Sequence, residues 1–221
     1  MQGGRRSSSY YPISLNLVGK RCVVIGGGTV ALRKVKGFLE HGASVEVISP
    51  DVCSELSKLT EARTISLKGR KYEPGDLDNA FIVIAATAES ETNQEVANEA
   101  RRRKILVNVV DSPEQSDFIV PAHLCRGDLT VAVATAGKSP ALARKIRTRL
   151  EKNFGEEYAS LTELVEEVRA ELKQKAVRLS GNDWQNALDL DLLVELLRTG
   201  QREKAKTTLL GNLKALMLEN H

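Results

Sequence analysis

The chain has 221 residues, of which 42% are hydrophobic and 28% charged, and its formal net charge is +3. This composition is typical of a globular protein with one large domain, or one domain and a smaller annex. The small charge argues against a nucleic-acid partner, as does the absence from the sequence of a basic run interleaved with aromatic residues.

The sequence also excludes some compartments and metal sites. No apolar run is long enough to cross a bilayer, and residues 1–9 are polar, without the apolar stretch of a signal peptide, so we expect them to be disordered. The three cysteines and three histidines are scattered, with no C-x-x-C pair. This pattern predicts neither a disulfide framework nor a bound structural metal, and it fits a protein of the reducing cytoplasm.

The clearest motif lies at residues 22–36. The apolar run Cys22–Ile25 stops at three glycines, and helical spacing of apolar residues begins at Val30. This reads as a strand, a tight turn and a helix over about 29–40. Gly26, Gly28 and Ala31 fit the dinucleotide pattern, in which the glycines permit the turn and the approach of a pyrophosphate. The sequence therefore predicts a nucleotide site here, with a purely structural turn as the alternative.

The second strand, predicted at Val45–Ser49, leads to the place where such a unit contacts the adenosine ribose. Asp51 follows Pro50, two residues beyond the position where an acid usually ends the strand, so the predicted ribose contact is displaced. No arginine follows at once to bind a 2′-phosphate, and this favours NAD over NADP.

Strands and helices continue to alternate up to residue 113. A helix is predicted at 52–62 and strands at 64–67, 81–86 and 105–110, with a helix at 92–103 between the last two. Thr87 follows the strand 81–86 and is predicted to lie on the cofactor side of the sheet. The alternation indicates an α/β domain with a doubly wound, Rossmann-type parallel sheet over residues 10–113. Residues 10–15 are expected to pack an aromatic lead-in against that sheet.

Asp111 follows the last of these strands. A carboxylate at this end of a buried strand can accept a proton beside a nicotinamide. The sequence Asp-Ser-Pro is equally typical of a turn that an aspartate caps. The residues alone leave both interpretations open.

The alternation stops after residue 113. Two strands, 118–124 and 129–135, are joined by Cys125–Asp128, which suggests a hairpin or an exchanged pair, and Ser139-Pro140 begins a helix. We assign residues 114–150 to a dimerisation segment and 151–221 to a helical domain of two or three helices. The residues Thr135–Ser139 suit either an anion site or a helix cap. The cations Arg126, Lys138, Arg144 and Lys145 suit either substrate carboxylates or a solvated face.

The ordered set of motifs resembles a known family. It comprises Val24–Lys34, the Ile-Ala-Ala-Thr that ends at Thr87, Asn108–Pro113, Phe118–Ala122 and Gly137–Pro140. In this order they resemble precorrin-2 dehydrogenase, which occurs with or without sirohydrochlorin ferrochelatase activity and forms the first module of siroheme synthase. The resemblance runs from Tyr11 to about Leu150.

The resemblance implies NAD-dependent oxidation of precorrin-2 to sirohydrochlorin, and a homodimer formed through the strand pair. It places turn contacts with NAD at Gly26, Gly28, Thr29 and Val30, adenosine contacts at Pro50 and Asp51, and the essential aspartate at Asp111. Thr135 stands where some members have a serine that can be phosphorylated.

Two further questions stay open. In family members that insert Fe²⁺ or Co²⁺ a base must take the pyrrole protons, and Asp111, helped by His123, can serve that step. The alternatives to this family are another small NAD(P)-dependent oxidoreductase, with Asp111 structural, and a non-enzymatic NAD(H)-sensing regulator.

Overall fold

The computed structural model describes residues 10–219, so the segment 1–9 lies outside the described residues. The chain forms two compact units that divide between Val120 and Pro121.

The first unit is a five-stranded parallel sheet with the strand order β3-β2-β1-β4-β5. Its elements in chain order are β1 (Arg21–Ile25), α1 (Thr29–Glu40), β2 (Ser44–Ile48), α2 (Ser54–Glu61), β3 (Ser66–Lys68), β4 (Ile82–Ala85), α3 (Ser90–Arg103) and β5 (Leu106–Val109). The predicted doubly wound sheet is confirmed. The order reverses direction next to β1, and ligands of such sheets bind at this switch point, beyond the carboxyl ends of the strands.

Both faces of the sheet are covered, which explains the continuous apolar runs in its central strands. Cys22 and Val24 of β1 pack with Val35 of α1 on one face. Val23 of β1 packs with Val96 of α3 on the other face. Alternate residues of one strand therefore anchor the two helices that carry the predicted site.

A buried polar network holds the long connection between β3 and β4. The carboxylate of Asp76 accepts hydrogen bonds from Arg70 (2.7 Å) and from Lys68 (3.1 Å). The Arg70 guanidinium, more than any other neighbour, holds the pKa of Asp76 well below its usual range. Tyr72 donates a hydrogen bond to the buried carboxylate of Glu99 on α3. Burial is the main cause that raises the pKa of Tyr72, and this hydrogen bond is the second.

The outer edge of β5 is covered by side chains instead of a sixth strand. The main-chain N–H of Val107 donates to Asp117 Oδ2 (3.1 Å), and that of Val109 donates to Ser116 Oγ (2.9 Å). The chain that leaves β5 therefore returns alongside it.

The lead-in predicted at residues 10–15 is only partly as expected. Tyr11 is 85% exposed, so the prediction of an aromatic contact with the sheet is wrong for this side chain. Leu15 and Leu17 pack instead on the α1 side of the sheet.

The second unit begins with the antiparallel pair β6 (Ala122–Arg126) and β7 (Leu129–Val133), followed by α4 (Pro140–Leu150). The first strand of this pair was predicted at 118–124, but β6 begins only at Ala122 and continues to Arg126. The hairpin turn therefore consists of Gly127 and Asp128. Gly127 adopts a left-handed conformation (φ +54°), which favours glycine.

Four helices follow: α5 (Glu157–Gln174), α6 (Gly181–Ala187), α7 (Leu190–Arg198) and α8 (Arg202–Glu219). The prediction of two or three helices is wrong because α6 is short and polar, and a capping box of Ser180 and Asp183 defines its start. The helices share a core that contains Leu164, Leu193 and Leu209. Among the described helices, none is long and apolar enough to span a membrane.

Candidate cofactor and active site

The glycine turn after β1 is built by close contact with β4. Gly26 has φ +120°, and a Cβ atom at this position would lie 2.4 Å from the carbonyl oxygen of Ala86. Both the backbone conformation and the lack of space therefore require glycine here. The turn brings the end of β1 directly against the residues that follow β4.

Gly27 has no assigned role in the dinucleotide pattern, but the structure shows that this position also requires glycine. A Cβ atom on Gly27 would lie 2.0 Å from the carbonyl oxygen of Asp51. The N–H of Cys53 donates to the carbonyl oxygen of Gly27 (2.8 Å). The loop after β2 thus packs on the turn, and the only signal for this in the sequence was a third glycine where the pattern needs two.

Gly28 differs from its two neighbours because the space beside it is open. Its φ of −81° is ordinary, and a Cβ atom there would have nothing within 4 Å. Gly28 is the N-cap of α1, with no side-chain cap and no acidic residue in the first turn. A helix N-terminus offers N–H donors and a partial positive charge to an anion. The open space and these donors fit the pyrophosphate of a dinucleotide.

The other residues predicted to contact the turn side or the adenosine side of the cofactor lie at the surface around this turn. Thr29 is exposed and Val30 half-buried in the first turn of α1, and Pro50 and Asp51 are exposed after β2. The hydroxyl of Ser49 donates to the carbonyl oxygen of Asp51 (2.6 Å), which fixes the loop that carries the displaced acid.

Thr87 lies beyond β4, as predicted, but its hydroxyl is engaged within the protein. It donates to Asn93 Oδ1 (2.9 Å) and lies 3.0 Å from the carbonyl oxygen of Glu89. The N–H of Thr87 also donates to Asn93 Oδ1 (3.3 Å), and its carbonyl oxygen accepts from Asn93 Nδ2 (3.0 Å), so its main-chain groups are engaged as well. Asn93 was not among the predicted site residues.

Asp111 follows β5 on the same rim of the sheet. The N–H of Val110 donates to the carbonyl oxygen of Ala85 (2.9 Å), so the residue after it lies beside the end of β4. Asp111 is exposed and adopts φ +59°, a left-handed conformation that is uncommon outside glycine and is often found at functional sites. The ends of β1, β4 and β5 thus bring Gly26, Thr87 and Asp111 to one rim.

Lys34 of α1 is a charged neighbour of Asp111 that sequence reasoning missed as a site residue. Burial and the nearby Arg33 lower the pKa of the Lys34 ammonium, and its attraction to Asp111 opposes this effect. Lys34 is half-buried. The site therefore combines a carboxylate with a partly desolvated cation.

In the second unit, Thr135 and Ser139 cap the start of α4. The N–H of Ser139 donates to Thr135 Oγ1 (3.0 Å), and the N–H of Leu142 donates to Ser139 Oγ (3.2 Å). The helix-cap interpretation of this segment matches these bonds. The side chains of Lys138 and Arg144 are exposed.

Arg126 is less accessible than the other predicted substrate-binding cations. Its Nε donates to the carbonyl oxygen of Phe154 (2.8 Å), and it forms an ion pair with Glu156 (3.3 Å). These contacts join the hairpin to the connection between α4 and α5. Within residues 10–219, no group of three or more His, Cys, Asp and Glu side chains is arranged to hold a metal ion.

The fold and the glycine turn define the class of protein: a doubly wound, nicotinamide-dinucleotide-binding protein. A family model described as putative NAD(P)-binding matches residues 13–122, and one described as the central part of a sirohaem biosynthesis protein matches residues 126–153.

Individual relatives agree with this class. Siroheme synthase of Thioalkalivibrio sulfidiphilus is 38% identical over 90% of this chain and 41% of its own length. Siroheme synthase of Chromobacterium violaceum is 42% identical over 75% of this chain and 35% of its own length. The chain thus spans less than half the length of the curated relatives it matches.

A solved structure matches along its whole length. SirC, described as a precorrin-2 dehydrogenase, is 29% identical with a TM-score of 0.68, over 93% of this chain and 100% of that chain. The chain belongs to the precorrin-2 dehydrogenase family, as its motifs predicted.

Proposed function

We propose that this protein catalyses the NAD-dependent oxidation of precorrin-2 to sirohydrochlorin in siroheme biosynthesis. One observation carries the proposal: two features share one rim of the sheet. They are the helix N-terminus at Gly28, which has open space and no side-chain cap, and the carboxylate of Asp111, whose backbone is in the left-handed conformation. The family of the chain supplies the substrate class.

The cofactor is held mainly by main-chain groups. Gly26, Gly28, Thr29 and Val30 form the turn and the first helical residues that receive the pyrophosphate. Pro50 and Asp51 lie on the adenosine side, where the carboxylate binds the ribose hydroxyls and repels a 2′-phosphate. We therefore propose NAD and not NADP as the cofactor.

Asp111 accepts the proton in the oxidation. When bound, the nicotinamide accepts the hydride that the substrate loses, and a base must take the accompanying proton. The carboxylate of Asp111 is exposed to a substrate, and Lys34 of α1 places a positive charge near it.

The remaining roles concern the second unit. Lys138 and Arg144 present exposed cations that suit the many carboxylates of a tetrapyrrole, and Thr135 contributes a hydroxyl. Arg126 belongs to this proposal as well, although it must exchange its contacts with Phe154 and Glu156 to bind a substrate. We also propose that the protein acts as a cytoplasmic homodimer.

The test is to incubate the purified protein with precorrin-2 and NAD and to follow the absorbance of sirohydrochlorin and NADH. Asp111→Asn keeps the shape of the side chain but cannot accept the proton, so turnover should fall by roughly 10²–10⁴-fold. The Kd for NADH should stay within about twofold, because the change leaves the glycine turn intact. Glu114→Gln, an exposed carboxylate three residues further along, is the matched control and should keep full activity.

Two results would contradict the proposal. If the wild-type protein binds NADH but produces no sirohydrochlorin, the activity is wrong. If Asp111→Asn weakens NADH binding as much as it slows turnover, Asp111 is a structural turn residue.

Replacing NAD by NADP should lower kcat/KM at least about tenfold, a loss of about 1.4 kcal/mol.

A further inference from the structure

The loop that joins β4 to α3 lies against the glycine turn, to which the proposed function assigns the cofactor. A Cβ atom on Gly26 would lie 2.4 Å from the oxygen of Ala86 and 3.2 Å from the nitrogen of Thr87. The main chain of residues 86–87 therefore lies in contact with the glycine turn. Since the adenosine side lies over β2 and the strand order is β2-β1-β4, the other half of a dinucleotide extends toward this loop.

One buried side chain fixes this loop. Asn93 of α3 is only 9% exposed. Its Oδ1 accepts hydrogen bonds from the hydroxyl (2.9 Å) and the N–H (3.3 Å) of Thr87, and its Nδ2 donates to the carbonyl oxygen of Thr87 (3.0 Å). The amide thus pairs with both main-chain groups of Thr87, as a neighbouring strand would.

Few side chains can replace this amide. An aspartate of the same shape keeps the acceptor but has no donor for the Thr87 carbonyl, and it places a charge in a buried position. An alanine leaves the main-chain groups of Thr87 without these partners. The asparagine is therefore suited to hold one particular path of the main chain between Ala86 and Glu89.

We propose that Asn93 is a positioning residue for the nicotinamide half of the cofactor. It acts through the main chain of residues 86–89, which it holds at a fixed distance from the glycine turn. This inference rests on the nicotinamide cofactor of the proposed function, but it does not depend on the substrate. The hydroxyl of Thr87 serves to hold this loop and does not itself bind the ligand.

The test compares two probes on the full-length chain in the absence of precorrin-2. Fluorescence titration gives the Kd for NADH, and calorimetry gives the Kd for ADP, which carries only the adenosine half. Asn93→Asp and Asn93→Ala should raise the Kd for NADH at least about tenfold and leave the Kd for ADP within about twofold. Asn98→Ala removes an exposed amide from the same helix and should change neither value.

A second measurement uses the wild-type protein and does not depend on the folding of a variant. NADH should slow amide hydrogen exchange in residues 86–89, whereas ADP should leave it unchanged, because only the larger ligand extends to this loop. Equal losses of NADH and ADP binding in Asn93→Asp would show a general structural role and overturn the proposal. So would unchanged NADH binding in a folded variant, or unchanged exchange on adding NADH.

These outcomes are separable from a failure of the proposed function. A wild-type protein that binds NADH but does not oxidise precorrin-2 would end the proposed activity and leave the role of Asn93 intact. If the wild-type protein is active and the Asn93→Asp variant binds NADH with an unchanged Kd, only the proposed role of Asn93 is wrong.

Discussion

Gly28→Val is the sharpest test of the cofactor cradle, the proposed pyrophosphate site at Gly26, Gly28 and the first turn of α1. The protein without cofactor has room for the new side chain. A Cβ atom at this position has nothing within 4 Å, and φ −81° with ψ −174° is an extended conformation that valine adopts readily. The cost to folding is that of valine in place of glycine at a helix N-cap, about 1 kcal/mol. For a chain of this size, such a cost lowers Tm by about 2–4 °C.

The effect on the cofactor is expected to be much larger. The two methyl groups would occupy the space that fits the pyrophosphate and would shield the first N–H groups of α1. A hydrogen bond to a charged group contributes about 1.5–3 kcal/mol, so the loss of two such bonds costs about 3–6 kcal/mol. At about 1.4 kcal/mol for each factor of ten, the Kd for NADH should rise by at least about 100-fold.

The assay pairs a fluorescence titration of NADH with a thermal melt of the same sample. Gly37→Ala is the matched control: Gly37 lies in the interior of α1, and a Cβ atom there also has nothing within 4 Å. This control should bind NADH normally and gain up to about 1 kcal/mol of stability, since alanine favours a helix more than glycine does. A folded Gly28→Val protein whose Kd stays within about threefold of the wild type would refute the cradle.

Three further predictions concern stability and reactivity. Asp76→Asn should lower the free energy of unfolding by about 2–3 kcal/mol at pH 7, measured by urea titration. The pKa of Asp76 is depressed in the folded state, so the stabilisation by its carboxylate is present above the unfolded pKa near 3.9 and is lost as the pH falls below that value. The difference in stability between the variant and the wild type should therefore shrink toward pH 2. Burial raises the pKa of Cys22 to about 11, so Cys22→Ser should leave the number of thiols that react with a disulfide reagent at pH 8 unchanged until the protein is unfolded. Leu209→Ala, at a fully buried position, should cost about 2–5 kcal/mol, whereas Leu218→Ala, at a side chain that is 82% exposed, should cost less than about 0.5 kcal/mol.

The parts of the fold that depend on local pattern could be predicted from the sequence. The runs at β1 and β4 are apolar without interruption because both faces of these strands are buried, and their ends locate the rim where Gly26, Thr87 and Asp111 lie. The roles of Gly27 and Asn93 depend instead on contacts with residues distant in the chain or on the path of a loop. No spacing rule contains this information.

The second unit shows a different limit. The segment Gly181–Ala187 is too short and too polar for helical periodicity to appear, so α6 was missed and the number of helices was underestimated. Arg126 illustrates a related difficulty. Its charge suggested a carboxylate ligand, but a sequence does not reveal that the guanidinium will meet the carbonyl oxygen of Phe154.

The covering of β5 has a consequence for the behaviour of the protein at high concentration. An uncovered edge strand invites pairing with another chain, which is a common start of aggregation. Here Asp117 and Ser116 already occupy two outward-facing N–H groups of β5, and the strand at the opposite border, β3, has only three residues. Neither edge offers an incoming strand a long template, so this sheet is protected against the edge-to-edge pairing of strands from further copies of the chain.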